Sequence, residues 1–392
     1  MIKAHKIRLH PTEEQKVYFA KAAGTTRFVW NWALAEWNRH YEAGEKPTAF
    51  KLKKQFNEIR REQFPWTWEV TKNASDQPFL DLGKAWASFF EGLKNGKKKG
   101  RPKFKSKKQS QASFYLANDQ LELGDHRVWI PKLGWVNMAE NLRFKGKVTG
   151  ARVTRTADWW FISITVELPD EKPDKKTAAV GLDVGLNRLA TLSTGEGFEN
   201  QKFLKTALDK LRQANKRLHR RVKGSKNREK ARRQVARLHY QITCLRDDVL
   251  HKLTTRLANC YGIVGIEDLN IKGLMKNRKL ARSFSDAALG KLLKLLTSKV
   301  EHRGGVVVKI HRFFPSTKSC HCCGWKWEAM DLSDRIFLCQ NPRCAYYRFP
   351  QDRDHNAGLS IRDEALRLIG LVDQVVTGTG SDEDVNLAMD AG

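Results

Sequence analysis

The chain lacks any hydrophobic run long enough to cross a membrane. Among its 392 residues no 18 consecutive residues are apolar, which excludes a transmembrane helix. The first residues, 1–6, also have no apolar core of the kind that defines a signal peptide. We therefore expect a cytoplasmic protein.

Acidic residues are scarce, and their scarcity leaves a large positive charge. There are 43 Asp and Glu against 72 Lys and Arg, a formal net charge of +29. Polyanions relieve self-repulsion of this size, so nucleic acid is the expected partner. A solvated basic surface, as in ribosomal proteins, is the alternative, and it too involves nucleic acid. A membrane surface fits less well, because no terminus forms a basic amphipathic helix with a clean apolar face.

The positive charge is concentrated in two tracts. Residues 94–108 carry nine Lys or Arg and no acid, and residues 202–237 carry 15 against two acids. So many bases would repel one another unless anions sit close, which favours a polyanion track. The nucleic-acid contacts expected in these tracts are Lys97, Lys98, Lys99, Arg101, Arg220 and Arg221. No base follows Arg367, and the acidic tail 370–392 is expected to be disordered.

The first half of the chain predicts a sheet interrupted by helices. Residues 2–9 alternate as a strand, and Thr12 to Gln15 form a capping box at the start of a helix. Helices are expected over 12–41, 49–62 and 77–93. Short alternating runs, typical of a small antiparallel sheet or barrel, occur at 112–117, 120–123, 127–130, 142–154 and 158–168.

The second half begins after the polar segment 170–176, which indicates a domain boundary. Buried strands are expected at 178–185, 188–194, 261–267 and 305–311. Helices are expected at 202–259, as a hairpin of two basic helices, at 285–303 and at 354–369.

Carboxylates stand inside or beside the apolar strands. Asp183 lies within one strand, Glu267 ends another, and Asp354 begins the last helix. Lone buried carboxylates are costly, so a group of them suggests a shared cation. Three carboxylates with room for water suit Mg²⁺, and two such ions about 4 Å apart would promote phosphodiester cleavage. For Asp183 alone, an acid at the edge of the core paired with a Lys or Arg is the alternative.

Five of the seven cysteines fall within residues 320–344. In a reducing compartment such clustering predicts a metal site rather than disulfides. Two knuckles are formed by Cys320, Cys323, Cys339 and Cys344. Four thiolates indicate structural zinc and leave no position open for catalysis, and Cys322 is an alternative ligand. Cys244 and Cys260 are expected to be buried apolar residues.

Several short motifs occur along the chain in a recognisable order. They are Gly181-Leu182-Asp183-Val184-Gly185, Leu250-His251-Lys252-Leu253-Thr254, Gly265-Ile266-Glu267-Asp268-Leu269, Phe314-Pro315-Ser316-Thr317, the cysteine knuckles and Asp352-Arg353-Asp354-His355-Asn356-Ala357, with Pro131-Lys132-Leu133-Gly134-Trp135 and Lys276-Asn277-Arg278-Lys279-Leu280. In these motifs the chain resembles TnpB, the transposon-encoded RNA-guided DNA nuclease related to the type V CRISPR effectors. The resemblance covers residues 1 to about 368.

The resemblance implies a multidomain protein of α/β and α+β class. Its implied parts are a wedge β-barrel at 1–11 and 110–172, a helical recognition domain at 12–109, a RuvC-type, RNase H-like nuclease domain at 176–318 and 349–369, and a zinc-finger insertion at 319–348. The chain departs from the family pattern in its longer second knuckle and in Gly358, where the family usually has Ala.

The resemblance also implies roles for individual residues. Asp183, Glu267 and Asp354 would be the catalytic ligands of two Mg²⁺ or Mn²⁺ ions, and the four knuckle cysteines would hold zinc. Lys72, Asp76 and Gln77 are the candidates for reading a short DNA motif beside the target. The implied partners are a guide RNA from the transposon end and double-stranded target DNA, with one protein per RNA in a bacterial or archaeal cell.

Two other functions remain open at this point. A non-cleaving RNA-guided regulator of transposition would not need the three acids, all of which are present. An unguided structure-specific nuclease would not need the helical insert or the basic tracts. Magnesium-dependent nicking of a target plasmid distinguishes the first, and RNA-independent cutting of branched DNA distinguishes the second.

Overall fold

The computed structural model describes residues 1–96, 99–169, 176–331 and 333–371. The chain divides into two units, Met1–Asp170 and Glu171–Gly392, and the division falls at the start of the predicted polar linker. Most of that linker, and the predicted acidic tail from residue 372 onward, lie outside the described residues. Within the described ranges, no helix is both long and apolar enough to cross a bilayer.

The first unit is built on a seven-stranded antiparallel sheet. Its strands are β1 (Ile2–His10), β2 (Ser113–Ala117), β3 (Glu122–Gly124), β4 (Arg127–Ile130), β5 (Gly134–Met138), β6 (Lys147–Thr156) and β7 (Trp159–Glu167). They lie in the order β2-β6-β7-β1-β5-β4-β3. The β1–β7 pairing sets Ile7 opposite Ile162, and both lie in the core. Strand β5 was missed by the sequence prediction, and closure into a barrel stays a prediction.

The described part of the same unit contains three α-helices: α1 (Glu13–Glu42), α2 (Ala49–Gln63) and α3 (Asn73–Lys94). The predicted capping box is present, because the backbone N–H of Gln15 donates to Thr12 Oγ1 and the Gln15 side chain accepts from the Thr12 N–H. Aromatic residues fill the space between the helices, with Trp37 and Trp86 stacked at 5.5 Å between ring centroids. Trp37 and Trp86 are both core residues.

Helix α3 begins at Asn73, earlier than the predicted start at residue 77. Distant parts of the chain fix the earlier start. The Thr71 N–H donates to the Tyr18 hydroxyl at 2.9 Å, and the Ala117 N–H donates to Asn73 Oδ1 at 3.2 Å. These bonds are between segments far apart in sequence, so no local pattern could have indicated them.

The second unit carries a mixed five-stranded sheet. Strands β8 (Ala179–Asp183), β9 (Arg188–Leu192), β10 (Gly197–Glu199), β11 (Ile263–Glu267) and β12 (Val306–Ile310) lie in the order β10-β9-β8-β11-β12. Strands β8, β11 and β12 are parallel, and β9 and β10 pair antiparallel. Parallel strands end at the same edge of a sheet, so Asp183 and Glu267, the last residues of β8 and β11, share an edge.

Six helices and a small sheet complete the described part of this unit. They are α4 (Phe203–His219), α5 (Lys226–Cys260), α6 (Ile271–Leu274), α7 (Ala281–Ala287), α8 (Leu289–Glu301) and α9 (Arg353–Leu368), with β13 (Ile336–Leu338) and β14 (Pro350–Asp352). The pair α4 and α5 is the predicted basic hairpin. The predicted helix 285–303 is instead broken at Ala288, whose φ is 51°. Before the break, buried Asp286 accepts from the Leu204 N–H at 2.9 Å and pairs with Arg246 at 3.0 Å.

Helix α9 crosses directly over the sheet, and glycines allow the close approach. Gly181 of β8 and Gly265 of β11 are neighbours in register. A Cβ at Gly181 would lie 2.0 Å from the carbonyl oxygen of Gly358, and a Cβ at Gly265 would meet α9 at 2.8 Å. A Cβ at Gly358 would lie 3.0 Å from the Ser193 nitrogen, so this departure from the family pattern occurs at a tight contact. The crossing brings Asp354, in the first turn of α9, to the sheet.

Candidate carboxylate centre and cysteine cluster

The three predicted carboxylates approach one another at one edge of the mixed sheet. Burial, together with the negative charges of Glu267 and Asp354, raises the pKa of Asp183 to about 7, while Arg353 acts in the opposite direction. A carboxylate neutralised by a basic partner would show a lowered pKa. The burial of Asp183 and its two acidic neighbours therefore outweigh the opposing charge of Arg353, and the role of Asp183 as a metal ligand stays a prediction.

The carboxylate of Glu267 is held by a serine from the neighbouring strand's extension. The Ser316 hydroxyl donates to Glu267 Oε1 at 2.5 Å, and Ser316 is only 2% exposed. Ser316 follows β12, which lies beside β11 in the sheet. This bond fixes the direction of the Glu267 carboxylate, which belongs to the last residue of β11.

Asp354 is oriented by its neighbours in the first turn of α9. Arg353 donates to Asp354 Oδ1 through Nη2 at 2.8 Å and through Nε at 3.1 Å. Asp352 caps the helix, since its Oδ1 accepts from the backbone N–H groups of Asp354 and His355 at 2.9 and 3.0 Å. The second oxygen of Asp352 pairs with Arg188 at 3.1 Å. Asp352 is thus a capping residue, and Asp354 is the acid left facing the others.

The chemistry of this donor set fits a hard divalent cation. Mg²⁺ and Mn²⁺ prefer carboxylate oxygens and keep part of their water. A cation would offset the cost of burying Asp183 close to two other acids. The three acids are more widely spaced than the ligands of a compact metal site. Among the described residues, the cysteine group is the one whose ligand atoms all lie within 4.8 Å of one another.

The four predicted cysteines form that compact group. The Sγ atoms of Cys320 and Cys344 are 3.7 Å apart, and those of Cys323 and Cys339 are 3.6 Å apart. The group can hold one metal ion, and the longer second knuckle does not prevent it. Burial raises the pKa of Cys320 to about 11, so a thiolate there needs a cation beside it. Cys322 is not a member of the group.

The other two cysteines correct a sequence expectation. Cys244 and Cys260 are exposed and not buried. Both lie on α5, whose buried positions include Ile242 and Leu257. Only a narrow stripe of α5 packs against the rest of the unit, so an apolar side chain such as that of cysteine can lie on its exposed face.

The predicted readers of a DNA motif lie at the start of α3. Lys72 pairs with Asp119 at 2.8 Å, and this bond raises the pKa of Lys72. Asp76 pairs with Lys53 at 3.0 Å, and Gln77 donates to a carboxylate one turn further along the helix at 2.9 Å. Each side chain already has a partner within the protein, and a contact with DNA would have to exchange it. Their role stays a prediction.

The basic tracts are only partly described. Two of the six contacts predicted there lie outside the described residues: Lys97 and Lys98. Lys99 contacts Glu91 at 3.3 Å, and the Arg101 guanidinium lies 5.9 Å from an aromatic ring of α3. Arg220 and Arg221 are exposed in the turn between α4 and α5. The exposure of these bases is what nucleic-acid binding requires, and their contacts with nucleic acid stay a prediction.

Sequence reasoning missed three side chains that bond to the acids or to the segment beside them. Ser316 and Arg353 are the two already described. The third is Asn356, which is 1% exposed and whose amide bonds to the backbone on either side of Cys320. All three residues lie in the motifs that define the family resemblance, so the motifs could have singled them out. Only the fold shows what each side chain contacts.

The fold of the chain is similar to that of a solved structure. The chain superposes on Cas12f1, solved by cryo-EM as a Cas12f1–sgRNA–target DNA complex, with a TM-score of 0.58 over 92% of this chain and 98% of that chain. The sequences are 14% identical, so this likeness shows the fold alone. Residues 290–361 match the family described as Cas12f1-like, TNB domain. This segment contains β12, the cysteine cluster and the beginning of α9.

Sequence relatives give the particular family. Residues 163–278 match the family described as "Probable transposase", and residues 1–46 match one described as "Helix-turn-helix domain", although here they form β1 and the single long helix α1. A "Putative RNA-guided DNA endonuclease" of Streptomyces pristinaespiralis is 35% identical over 92% of this chain and 88% of the relative. InsQ of Escherichia coli K12, described in the same words, is 31% identical over 86% of this chain and 87% of the relative. The chain belongs to the TnpB family of transposon-encoded RNA-guided DNA endonucleases.

Proposed function

We propose that this protein is a hydrolase that cleaves DNA under the guidance of an RNA derived from the end of its transposon. The observation that carries the proposal is geometric: Asp183 and Glu267 end adjacent parallel strands, and Asp354 lies in the first turn of the helix that crosses them. Burial, together with the charges of Glu267 and Asp354, raises the pKa of Asp183 to about 7. Membership of the family supports RNA and DNA as the partners, and the net charge of +29 favours the binding of both.

In this proposal the three acids hold two Mg²⁺ ions, which Mn²⁺ can replace. Bound at this edge, the ions would supply an activated water and stabilise the leaving oxygen of the phosphodiester. Asp183 provides the half-buried carboxylate at the end of β8, and Ser316 and Arg353 fix the directions of Glu267 and Asp354. The cysteine cluster would hold zinc in a structural role, since four thiolates complete a tetrahedral shell.

The partners follow the family pattern. One protein molecule would bind one guide RNA, and base pairing would select the target in double-stranded DNA. Lys72, Asp76 and Gln77 would read the short motif beside the target. The exposed bases of the two tracts, including Lys99 and Arg220, would contact the phosphate backbones.

The test is cleavage of a plasmid that carries the guide-matched target. Alanine at Asp183, Glu267 or Asp354 is expected to abolish Mg²⁺-dependent cleavage while RNA binding, measured by filter retention, is retained. Glu301→Ala is the control, because Glu301 is an exposed acid at the end of α8 in the same unit. Full cutting by Asp183→Ala would contradict the assignment.

The same assay decides between this function and its two competitors. A wild-type complex that binds the target without nicking it would be a regulator. Cutting of branched DNA without RNA would be the activity of an unguided nuclease. RNA recovered with the purified protein as one defined species, ending in a variable segment, is the expected result for a guided enzyme.

A further inference from the structure

A short segment connects the carboxylate centre with the cysteine cluster. It leaves β12, turns at Pro315 and enters the first knuckle at Cys320. The Pro315 carbonyl accepts from the backbone N–H groups of Lys318 and Ser319 at 3.0 and 2.9 Å, so the segment is a defined turn. Ser316, in this turn, reaches Glu267 at 2.5 Å.

Asn356 ties the same segment to the other side of the centre. Its Nδ2 donates to the Ser319 carbonyl at 2.7 Å, and its Oδ1 accepts from the His321 N–H at 3.0 Å. The amide therefore bonds to the backbone immediately before and immediately after Cys320. Asn356 lies in the first turns of α9, two positions after Asp354. The amide supplies both the donor and the acceptor that this arrangement uses.

The two links are buried. Ser316, Ser319 and Asn356 are 2%, 7% and 1% exposed. A buried polar group that loses its partner costs more free energy than an exposed one, so these bonds are not readily exchanged for water. The backbone on both sides of Cys320 is thus bonded to α9 through Asn356, and the turn that precedes Cys320 is bonded to Glu267 through Ser316.

We infer that Ser316 and Asn356 are positioning residues through which the cysteine cluster fixes Glu267 and Asp354 for divalent-cation binding. The inference rests on the proposed function, since it supposes that the three acids bind such ions. A metal ion at the cysteines holds Cys320 in place, and the two side chains pass that constraint to the acids. Such coupling is reciprocal: ions at the acids must also strengthen retention of metal at the cysteines.

Mn²⁺ titration of the full chain by calorimetry, with the cysteine cluster loaded with zinc, tests the first link. Ser316→Ala is expected to weaken the Mn²⁺ affinity roughly tenfold or more, as is common for residues that orient metal ligands. Ser316→Thr keeps the hydroxyl and is expected to restore most of the affinity. Ser333→Ala, at an exposed serine of the same cysteine segment, should leave it unchanged. An unchanged Mn²⁺ affinity in folded, zinc-loaded Ser316→Ala would overturn the inference.

Zinc release to a chromogenic chelator tests the second link. Excess Mg²⁺ is expected to slow release from the wild-type protein and from Ser333→Ala, but not from Asn356→Ala. Equal protection by Mg²⁺ in Asn356→Ala and in the wild type would contradict the role of Asn356. If Asn356→Ala does not fold, the Ser316 variants decide the matter alone.

One further variant separates failure of the inference from failure of the proposed function. Asp183→Asn removes a ligand and is expected to eliminate Mn²⁺ binding at the centre. If Asp183→Asn binds Mn²⁺ like the wild type, the proposed centre itself is wrong. If Asp183→Asn loses the ion while Ser316→Ala keeps full affinity, the centre stands and only the positioning role is wrong.

Discussion

The two candidate metal sites of the second unit are built in opposite ways. The cysteine cluster is local in sequence, with all four ligands between residues 320 and 344, and its sulfur atoms already lie within 4.8 Å of one another. The carboxylate centre is assembled from residues 183, 267 and 354, which two parallel strands and a crossing helix bring to one edge. Its oxygen atoms do not gather so closely.

Charge explains this difference. Neutral thiols do not repel one another, and the sulfur atoms of the cysteine cluster lie 3.6 and 3.7 Å apart in pairs. Carboxylates repel one another when ionised, and burial together with such repulsion raises the pKa of Asp183. The first site is a closed set of ligands that a metal completes. The second is an open set that a metal would draw together, which is what a catalytic site with room for water and substrate requires.

The largest expected effect is the loss of the metal from the local site. Cys320→Ser removes one of four thiolates, and structural zinc sites contribute on the order of 10 kcal/mol of binding free energy. The matched control is Cys322→Ser, which changes a neighbouring cysteine outside the group. Zinc content of the purified proteins should fall to near zero for Cys320→Ser and remain at one per chain for Cys322→Ser. Equal loss from both variants would mean that Cys322 is a ligand.

The carboxylate centre depends instead on the close approach of helix α9 to strand β8. Gly181→Ala would place a Cβ 2.0 Å from the Gly358 carbonyl oxygen. Overpacking of this kind should lower the free energy of unfolding of the second unit by about 3 kcal/mol and displace Asp354. Gly24→Ala is the control in an open place, since a Cβ there meets nothing within 4 Å, and in helix α1 it should be neutral or stabilising by about 0.5 to 1 kcal/mol. Urea unfolding measures both.

The contrast between the sites also shows what the sequence could and could not predict. The cysteine group was predictable residue by residue, because its ligands follow a short spacing rule. The three acids were predicted from apolar strands and from the family motifs. The links through Ser316 and Asn356 were not, because a hydroxyl and an amide have many possible partners and only the fold selects one.

The fold of the chain shows the same limit. Local signals predicted the start of α1 at Thr12 and the basic hairpin of α4 and α5. The break at Ala288 and the early start of α3 depend on bonds between distant segments, so local propensity did not reveal them. Sequence patterns therefore predict helices, strands and ligand sets that are close in sequence. Contacts between distant helices and strands become known only from the structure.

A smaller effect tests the electrostatic half of the comparison. Without divalent ions, Asp183→Asn should raise the free energy of unfolding by about 2 kcal/mol at pH 8, about half of what a shift of roughly 3 pKa units would supply, because Asp183 is only half-buried. The folded-state pKa of Asp183, about 7, lies above the ordinary value of 3.8. As pH rises from about 4 to about 7, the unfolded chain loses this proton first, so the wild type loses stability over that window. The gain from Asp183→Asn should be small near pH 4 and complete above pH 7; urea unfolding in EDTA checks it, and a gain independent of pH would contradict it.

The smallest expected effect concerns Arg353, which opposes the rise in the pKa of Asp183. Arg353→Gln removes that positive charge, so Asp183 should keep its proton to a higher pH, and the midpoint of Mn²⁺ binding should move upward by less than about one pH unit. Arg353→Lys retains the charge and should leave the midpoint almost unchanged. The measurement is the Mn²⁺ dissociation constant across neutral pH. A downward shift would mean that Arg353 acts mainly by repelling the cation, and the open site would then be regulated by competition for Asp354 rather than by protonation of Asp183.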